Sequence, residues 1–352
     1  MFFTGIGCAV PEKGYRKSEC WEAYEGSAWF QRLNTRSHAI VRSVLALNNG
    51  IEQRHLAVDT LEEVFQIDPD TLYRRFLKHA PLLASQAAQR ALDRAGLRSE
   101  QIDAIVVSTC TGYLCPGLSG YVVEMLGMRD NVRAFDLVGQ GCAAALPNMR
   151  MAKALLDSDD CEHVLSVCVE VCSAAMYLDD DPGVLISACL FGDGAGAAVL
   201  SRRPNSAVRR IEWKDSESLI VPELRDALKF EQRDGMLRNI LTKDVPAIAS
   251  RYAAEVLQTV LARSAIRQDA IKGWIMHAGG RDVLLALEKK LRVASNDFRY
   301  SASTLRQYGN LSSAFVYFVF EAALADQAPG GAWWMSSFGA GFSCHGALLT
   351  VE

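Results

Sequence analysis

The sequence has no apolar run long enough to cross a bilayer, which excludes a helical membrane span. It has no basic leader either. Met1-Phe2-Phe3-Thr4-Gly5-Ile6 contains no lysine or arginine and runs into Gly7 and Pro11. The start therefore reads as a first strand, not an export signal, and the expected location is cytoplasmic. The ten cysteines form no C-x-x-C pair and show no His/Cys ligand spacing. That argues against a zinc site and for free thiols in a reducing compartment. An excess of positive charge is missing as well. Thirty-seven Lys and Arg stand against 41 Asp and Glu, a net charge of −4, so nothing pulls the chain generally toward nucleic acid or anionic lipid.

What is present is a long, globular composition. The 352 residues are half hydrophobic and 22% charged, enough for one large domain or two halves. Leu83 to Leu92 carries apolar residues on one helical face. Ile102–Ser108, Val164–Val169 and Ala195–Leu200 are short, mostly apolar runs that read as buried strands. The alternation predicts an α/β fold with buried sheets. A faint internal repeat runs through it. Leu92-Asp93-Arg94-Ala95-Gly96-Leu97 leads into a strand ending at Thr111-Gly112, and Leu261-Ala262-Arg263-Ser264-Ala265-Ile266 leads into one ending at Ala278-Gly279. Gly141-Cys142 and Gly309-Asn310 open apolar helices at nearly the same spacing, and Phe191-Gly192-Asp193-Gly194 echoes Phe338-Gly339-Ala340-Gly341. Two related halves are expected, residues 1–200 and 201–352, with Cys142 and Asn310 at equivalent helix starts.

Three residues suggest chemistry on their own. Cys142 follows Gly139-Gln140-Gly141 and precedes Ala143-Ala144-Ala145-Leu146. A sulfur at such a helix start meets unpaired N–H groups that favour thiolate. A small buried hydrophobe is the plainer reading, and it is the one taken for Cys161 and Cys189. His277 ends the apolar Trp274-Ile275-Met276 ahead of Ala278-Gly279-Gly280, a placement that fits a cleft as well as a core. Asn310, in Gly309-Asn310-Leu311-Ser312-Ser313, can cap a helix.

Taken in order, Cys110-Thr111-Gly112, Gln140-Gly141-Cys142, Leu190-Phe191-Gly192-Asp193-Gly194-Ala195, Lys243-Asp244-Val245-Pro246, His277-Ala278-Gly279-Gly280 and Gly309-Asn310-Leu311-Ser312-Ser313 resemble the thiolase-like condensing enzymes, and among them the type III polyketide synthases, the chalcone and stilbene synthase superfamily. The likeness covers nearly the whole chain. It implies an αβαβα five-layer sandwich and a homodimer. It implies Cys142 as nucleophile and acyl carrier, with His277 and Asn310 binding the thioester carbonyl and promoting decarboxylation of malonyl-CoA. A protonated His277 beside the thiol would lower its pKa. An acyl-CoA starter and malonyl-CoA are the implied substrates. The implied product is a pyrone, resorcinol or phloroglucinol-type ring, and no cofactor is required. Phe191 would orient malonyl between the CoA tunnel and the cavity.

The same resemblance sets the pocket. Cys110, Thr111 and Ser312 fall at the cavity, and Cys110 and Cys172 stand where plant enzymes carry threonines. A cysteine at Cys172 resembles long-chain alkylpyrone synthases, in which it borders a tail tunnel, and Ala175 is another small lining residue. Cys115 falls where a side chain enters the partner's cavity across the dimer. Asn239 replaces a gatekeeping phenylalanine. Gly339 and Gly341 belong to a loop in which Ser337 and Ala340 depart from the plant wording, as in bacterial or fungal members. No basic residue near Arg42 or Arg54 matches the family's CoA-phosphate contacts. This lining implies aliphatic starters of medium or long length. Two other readings stay open: a ketoacyl synthase that starts fatty acid synthesis with one condensation, and a non-catalytic acyl-binding scaffold.

Overall fold

Helix Phe315–Ala325 begins with six consecutive buried residues, Phe315, Val316, Tyr317, Phe318, Val319 and Phe320. A helix apolar all round must be covered all round. In the computed structural model, which describes residues 1–46, 49–158 and 160–352, it lies between two β layers. It packs on strands Phe2–Ala9 and Gly194–Ser201 on one side and on Ile271–Met276 and Gly331–Gly339 on the other. Helix Ala145–Asp157 does the same, touching His163–Glu170 and Ala104–Ser108 on one side and Gly331–Gly339 and Ser343–Val351 on the other.

The strands form one nine-membered ladder in the order Ile271–Met276, Gly331–Gly339, Ser343–Val351, Ile211–Ile220, Phe2–Ala9, Gly194–Ser201, His163–Glu170, Ala104–Ser108, Arg133–Leu137. A single pairing, Phe2 with Glu212, joins the two sets. Each set contains one shared pattern, a parallel pair and then two antiparallel steps, and the first set adds a second parallel pair, Ala104–Ser108 with Arg133–Leu137. Gly194–Ser201 is buried at every residue, as a strand covered on both faces must be. Helix Pro69–Ala95 covers the first set from outside, and Val245–Ser264 covers the second. The result is the helix–sheet–helix–sheet–helix sandwich of the thiolase-like fold.

The repeated sequence segments take the same conformations. Pro69–Ala95 ends at Gly96 (φ +66), and Val245–Ser264 ends at Ala265 (φ +53). Each is followed by one 3₁₀ turn and a strand. The second half holds the left-handed turn with an alanine, where a Cβ is disfavoured. Among the described residues no helix is long and apolar enough to cross a membrane, and the ten cysteines are unpaired.

Candidate active site

Cys142 sits where two backbones nearly touch. Residues 141–143 form one 3₁₀ turn ahead of helix Ala145–Asp157, and Gly141 holds φ +54. From the other layer Gly339 approaches so closely that a Cβ on it would lie 2.5 Å from the Ala143 nitrogen. Ser337 Oγ donates to the Ala143 carbonyl at 2.9 Å. Gly339 thus fixes the turn that carries the sulfur.

The thiol is 9% exposed, and Ser312 Oγ donates to its Sγ at 3.2 Å. Burial pushes the thiol up to about 12, against the opposing pull of the Ser312 hydroxyl. His277, at the end of strand Ile271–Met276, is 1% exposed, and burial drops its imidazole to about 3. The resting pair is therefore neutral thiol and neutral imidazole. The imidazolium expected from sequence is not the resting form, because neither ion is solvated there. Aromatic rings orient the imidazole: Phe315 and Phe338 stand edge-on to it at 5.3 and 5.0 Å. Its Nδ1 has no hydrogen-bond partner among the described residues.

Asn310 is held at both ends of its amide. Oδ1 accepts from the Ser312 N–H at 2.9 Å, an Asx-type bond to the first N–H of the 3₁₀ turn Ser312–Ala314, and Nδ2 donates to the Gly279 carbonyl at 3.2 Å. Nδ2 has a second hydrogen, and Asn310 lines the cavity. Capping and a cavity-facing donor coexist. The Asn310 backbone also pairs across to the Phe191 turn, its N–H donating to Leu190 and its carbonyl accepting from Gly192.

Sequence reading missed the carboxylate behind this site. Glu170 ends the apolar strand His163–Glu170 and is fully buried. It accepts from the Cys110 N–H at 3.0 Å, Thr111 Oγ1 at 2.9 Å, Ser312 Oγ at 3.3 Å, Cys110 Sγ at 3.3 Å and, at close range, Ser313 Oγ. Burial raises its pKa against these hydrogen bonds. An acidic residue closing a continuous apolar run was the available signal, since a buried carboxylate needs such partners.

Cys142, His277, Asn310 and Phe338 form the buried floor of a cavity of about 420 Å³. Leu190, Phe191, Leu228 and Leu241 wall it, and exposed Ser43, Lys243, Arg281 and Asp282 stand at its rim. Cys172, Ala175, Phe191 and Asn239 border a separate inner pocket of only about 30 Å³, room for about one water. A long acyl tail does not fit there without displacing side chains. Cys110, Thr111, Leu237 and Gly341 line a surface cleft of about 540 Å³ on another side. Cys115 is exposed, near the 74%-exposed Tyr113, and borders none of the three. Among the described residues no cluster of His, Cys, Asp and Glu is placed to hold a metal.

Arg54 is buried, which rules it out as a phosphate contact. Its Nη1 donates to the Ala188 carbonyl at 2.9 Å and the Phe191 carbonyl at 3.0 Å, and its stem lies against Gly309, which has φ +72. It ties the Phe191 turn to the Asn310 turn. Arg54→Met leaves the Phe191 carbonyl without its side-chain donor, at about 1–3 kcal/mol, while the Ala188 carbonyl keeps the Tyr24 hydroxyl at 3.2 Å. A drop of about 2 kcal/mol in unfolding free energy is expected from urea melts. A midpoint equal to wild type would show that the clamp carries no load.

The sequence pattern of a family described as "FAE1/Type III polyketide synthase-like protein" matches residues 16–221, and that of the "Chalcone and stilbene synthases, C-terminal domain" matches residues 213–351. A 3,5-dihydroxyphenylacetyl-CoA synthase from Streptomyces toyocaensis is 28% identical over 333 residues, covering 92% of this chain and 82% of its own. The one from Amycolatopsis balhimycina is 28% identical over 363 residues, covering 99% and 92%. PKS-I from the brown alga Ectocarpus siliculosus superposes with a TM-score of 0.90 at 24% identity, covering 99% of this chain and 98% of that one. The 1,3,6,8-tetrahydroxynaphthalene synthase from Streptomyces coelicolor A3(2) superposes at 0.88 and 24% identity, covering 100% and 99%.

Proposed function

The chain belongs to the type III polyketide synthase family, and we propose that it loads a compact acyl group from CoA onto Cys142, extends it repeatedly with malonyl-CoA and closes the chain into a ring. The observation that carries this is the convergence of Cys142, His277 and Asn310, from three distant segments, on the floor of one largely apolar cavity. In the loading step the Cys142 sulfur attacks the starter thioester carbonyl as its proton passes to His277, and His277 returns that proton to CoA, which leaves as the thiol. Malonyl-CoA then loses CO₂. The N–H groups of His277 and Asn310 stabilise the thioester enolate that remains, on the buried floor of the cavity. The enolate carbon attacks the acyl-Cys142 carbonyl and expels the sulfur. Lys243 and Arg281 at the rim suit an anionic CoA. Exposed Tyr113 and Val138, which line one surface cleft, support a homodimer.

The space beside Cys172 favours starters of few carbons, such as acetyl or malonyl, and the naming of the relatives as 3,5-dihydroxyphenylacetyl-CoA synthases supports a ring of the resorcinol type. A second reading, an aliphatic starter, has the cleft beside Cys110 and Leu237 in its favour. Product mass analysis with malonyl-CoA and acetyl-, hexanoyl-, lauroyl-, palmitoyl- and coumaroyl-CoA separates the two. Rates are expected to fall with tail length, palmitoyl-CoA being the slowest aliphatic starter. If palmitoyl-CoA is preferred, and Leu237→Trp rather than Cys172→Phe blocks it, the tail runs through the cleft. A single-extension product with every starter would instead identify a fatty-acid-type ketoacyl synthase.

A further inference from the structure

Strands Leu228–Arg233 and Met236–Leu241 form a hairpin outside the nine-membered ladder. Side chains, not a shared sheet, must hold it in place. Its largest contact with the rest of the chain is helix Pro182–Leu190. The inner pocket lies in that seam, between Phe230 of the hairpin and Val184 and Ala188 of the helix, with Tyr177 ahead of the helix as a further wall. At the base of the hairpin the backbones touch, since a Cβ on Gly183 would lie 2.4 Å from the Leu241 carbonyl oxygen. Farther along, Arg238 closes the seam. Its Nε donates to Asp179 Oδ2 at 3.0 Å, and its Nη2 meets Asp181 Oδ2 at 3.2 Å. Both carboxylates precede the helix, and Asp181 also caps it, accepting from the Gly183 N–H at 2.9 Å. Asp180 between them accepts from the Asn34 N–H at 3.1 Å, which anchors this loop in turn. Asn239 Nδ2 adds one neutral hydrogen bond across the seam, to Ser187 Oγ at 3.1 Å, but charge-assisted bonds are about twice as strong. The Arg238 guanidinium also lies 6.0 Å from the centre of the Tyr177 ring.

We propose that Arg238 is a positioning residue for substrate selection: its hold on Asp179 and Asp181 keeps the hairpin against the helix, sets the width of the inner pocket, and so limits the acyl tail that the enzyme accepts. The proposal rests on the acyl-CoA chemistry given above. Held shut, the seam leaves about 30 Å³, room for about one water. Phe191 and Asn239 border both this pocket and the reaction cavity, so a hairpin that moves off the helix adds the seam to the cavity. Arg238 itself lines none of the three cavities. It acts through the hairpin and not by touching substrate. A third carboxylate supplies a control. Glu231 accepts from Arg238 Nη1 at 2.9 Å, but it stands opposite Arg238 on the hairpin's own other strand. That pair stiffens the hairpin without tying it to the helix.

The test compares kcat/KM for acetyl-, hexanoyl- and lauroyl-CoA, with malonyl-CoA as extender. In wild type the value is expected to fall with tail length. Arg238→Met should raise the lauroyl-to-acetyl ratio about tenfold, chiefly through a lower KM for lauroyl-CoA. Use of acetyl-CoA and release of CO₂ from malonyl-CoA should stay close to wild type. The Asp179 and Asp181 side chains are 25% and 40% exposed, so water can replace the guanidinium and the variant should fold. Asp179→Asn is milder, because it keeps an acceptor for the Asp181 N–H, and it should shift the ratio in the same direction. Combined with Arg238→Met it should add little, since both release one latch. Glu231→Gln should leave the ratio at its wild-type value. A folded Arg238→Met or Asp179→Asn enzyme with the wild-type ratio overturns the proposal. A Glu231→Gln enzyme that matches Asp179→Asn overturns it too. So does an equal loss with all three starters, which would leave Arg238 a role in folding only. Failure of the polyketide reading shows separately, as a wild-type enzyme that forms no extended product from any starter.

Discussion

Cys142→Ala will abolish covalent acylation and all product formation while leaving the fold intact. The substitution removes only the sulfur from a turn whose geometry depends on Gly141, Gly339 and Ser337, not on the thiol. Its one hydrogen bond is with Ser312 Oγ, which keeps Glu170 Oε1 as an alternative acceptor at 3.3 Å. The unfolding midpoint should therefore move little. Incubation with a radiolabelled starter-CoA, followed by denaturing electrophoresis, should label wild type and leave the variant blank. Equal labelling of both would falsify the assignment, and the other nine cysteines, seven of them buried, would have to be searched for the acceptor.

Asn310→Ala and His277→Ala should each slow release of CO₂ from malonyl-CoA by roughly a hundred- to a thousand-fold, the usual effect of losing one oxyanion donor. The two variants separate capping from chemistry. Asn310→Ala loses its Oδ1 cap on the Ser312 N–H as well as its Nδ2 donor. Asn310→Asp keeps an acceptor for the cap and removes the donor. If the aspartate variant decarboxylates malonyl-CoA at the wild-type rate, Asn310 is only a cap. His277→Gln supplies a side-chain N–H without a titrating ring. Because burial holds the imidazole near 3, His277 is uncharged before substrate arrives. Decarboxylation should then stay level between pH 6 and 8 in wild type. A steep fall as pH rises through 6.5 would mean that the imidazolium is the working donor.

Buried histidine also sets a direction for stability. His277 is held near 3 and His345 near 4 by burial, both below the usual 6.5. The unfolded chain therefore binds protons that the native chain does not, and stability falls as pH drops from about 6.5 toward these values.

Local signals made part of this legible before any coordinates. Glycines followed by a small apolar run placed Cys142 at a turn, and a strand running into Gly279-Gly280 placed His277 at an edge. The repeat of helix, turn and strand around Gly96 and Ala265 is visible in the sequence because each copy is short and continuous. Apolar strands without alternation implied sheets covered on both faces, because a half-exposed strand would alternate.

The tertiary structure decided everything that depends on which distant groups are neighbours. Gly339, expected in a loop, ends the strand Gly331–Gly339 and proved to be a spacer against the backbone on either side of Cys142, since nothing local reveals how closely another chain segment approaches. Arg54 matched no phosphate contact in the sequence, and its role as a clamp on the carbonyls of Ala188 and Phe191 came only with the fold. The ionisation of Cys142 and His277 was set by burial, which outweighs the helix start the sequence displays, because desolvation scales with the whole surroundings and not with the adjacent turn. Local patterning reaches as far as an α/β chain with buried sheets, and the five layers and the expected roles of Cys142, His277 and Asn310 came from the resemblance. Cavity volume, protonation and the hydrogen bonds left over for a ligand are sums over side chains from many segments, and only the packed chain performs that sum.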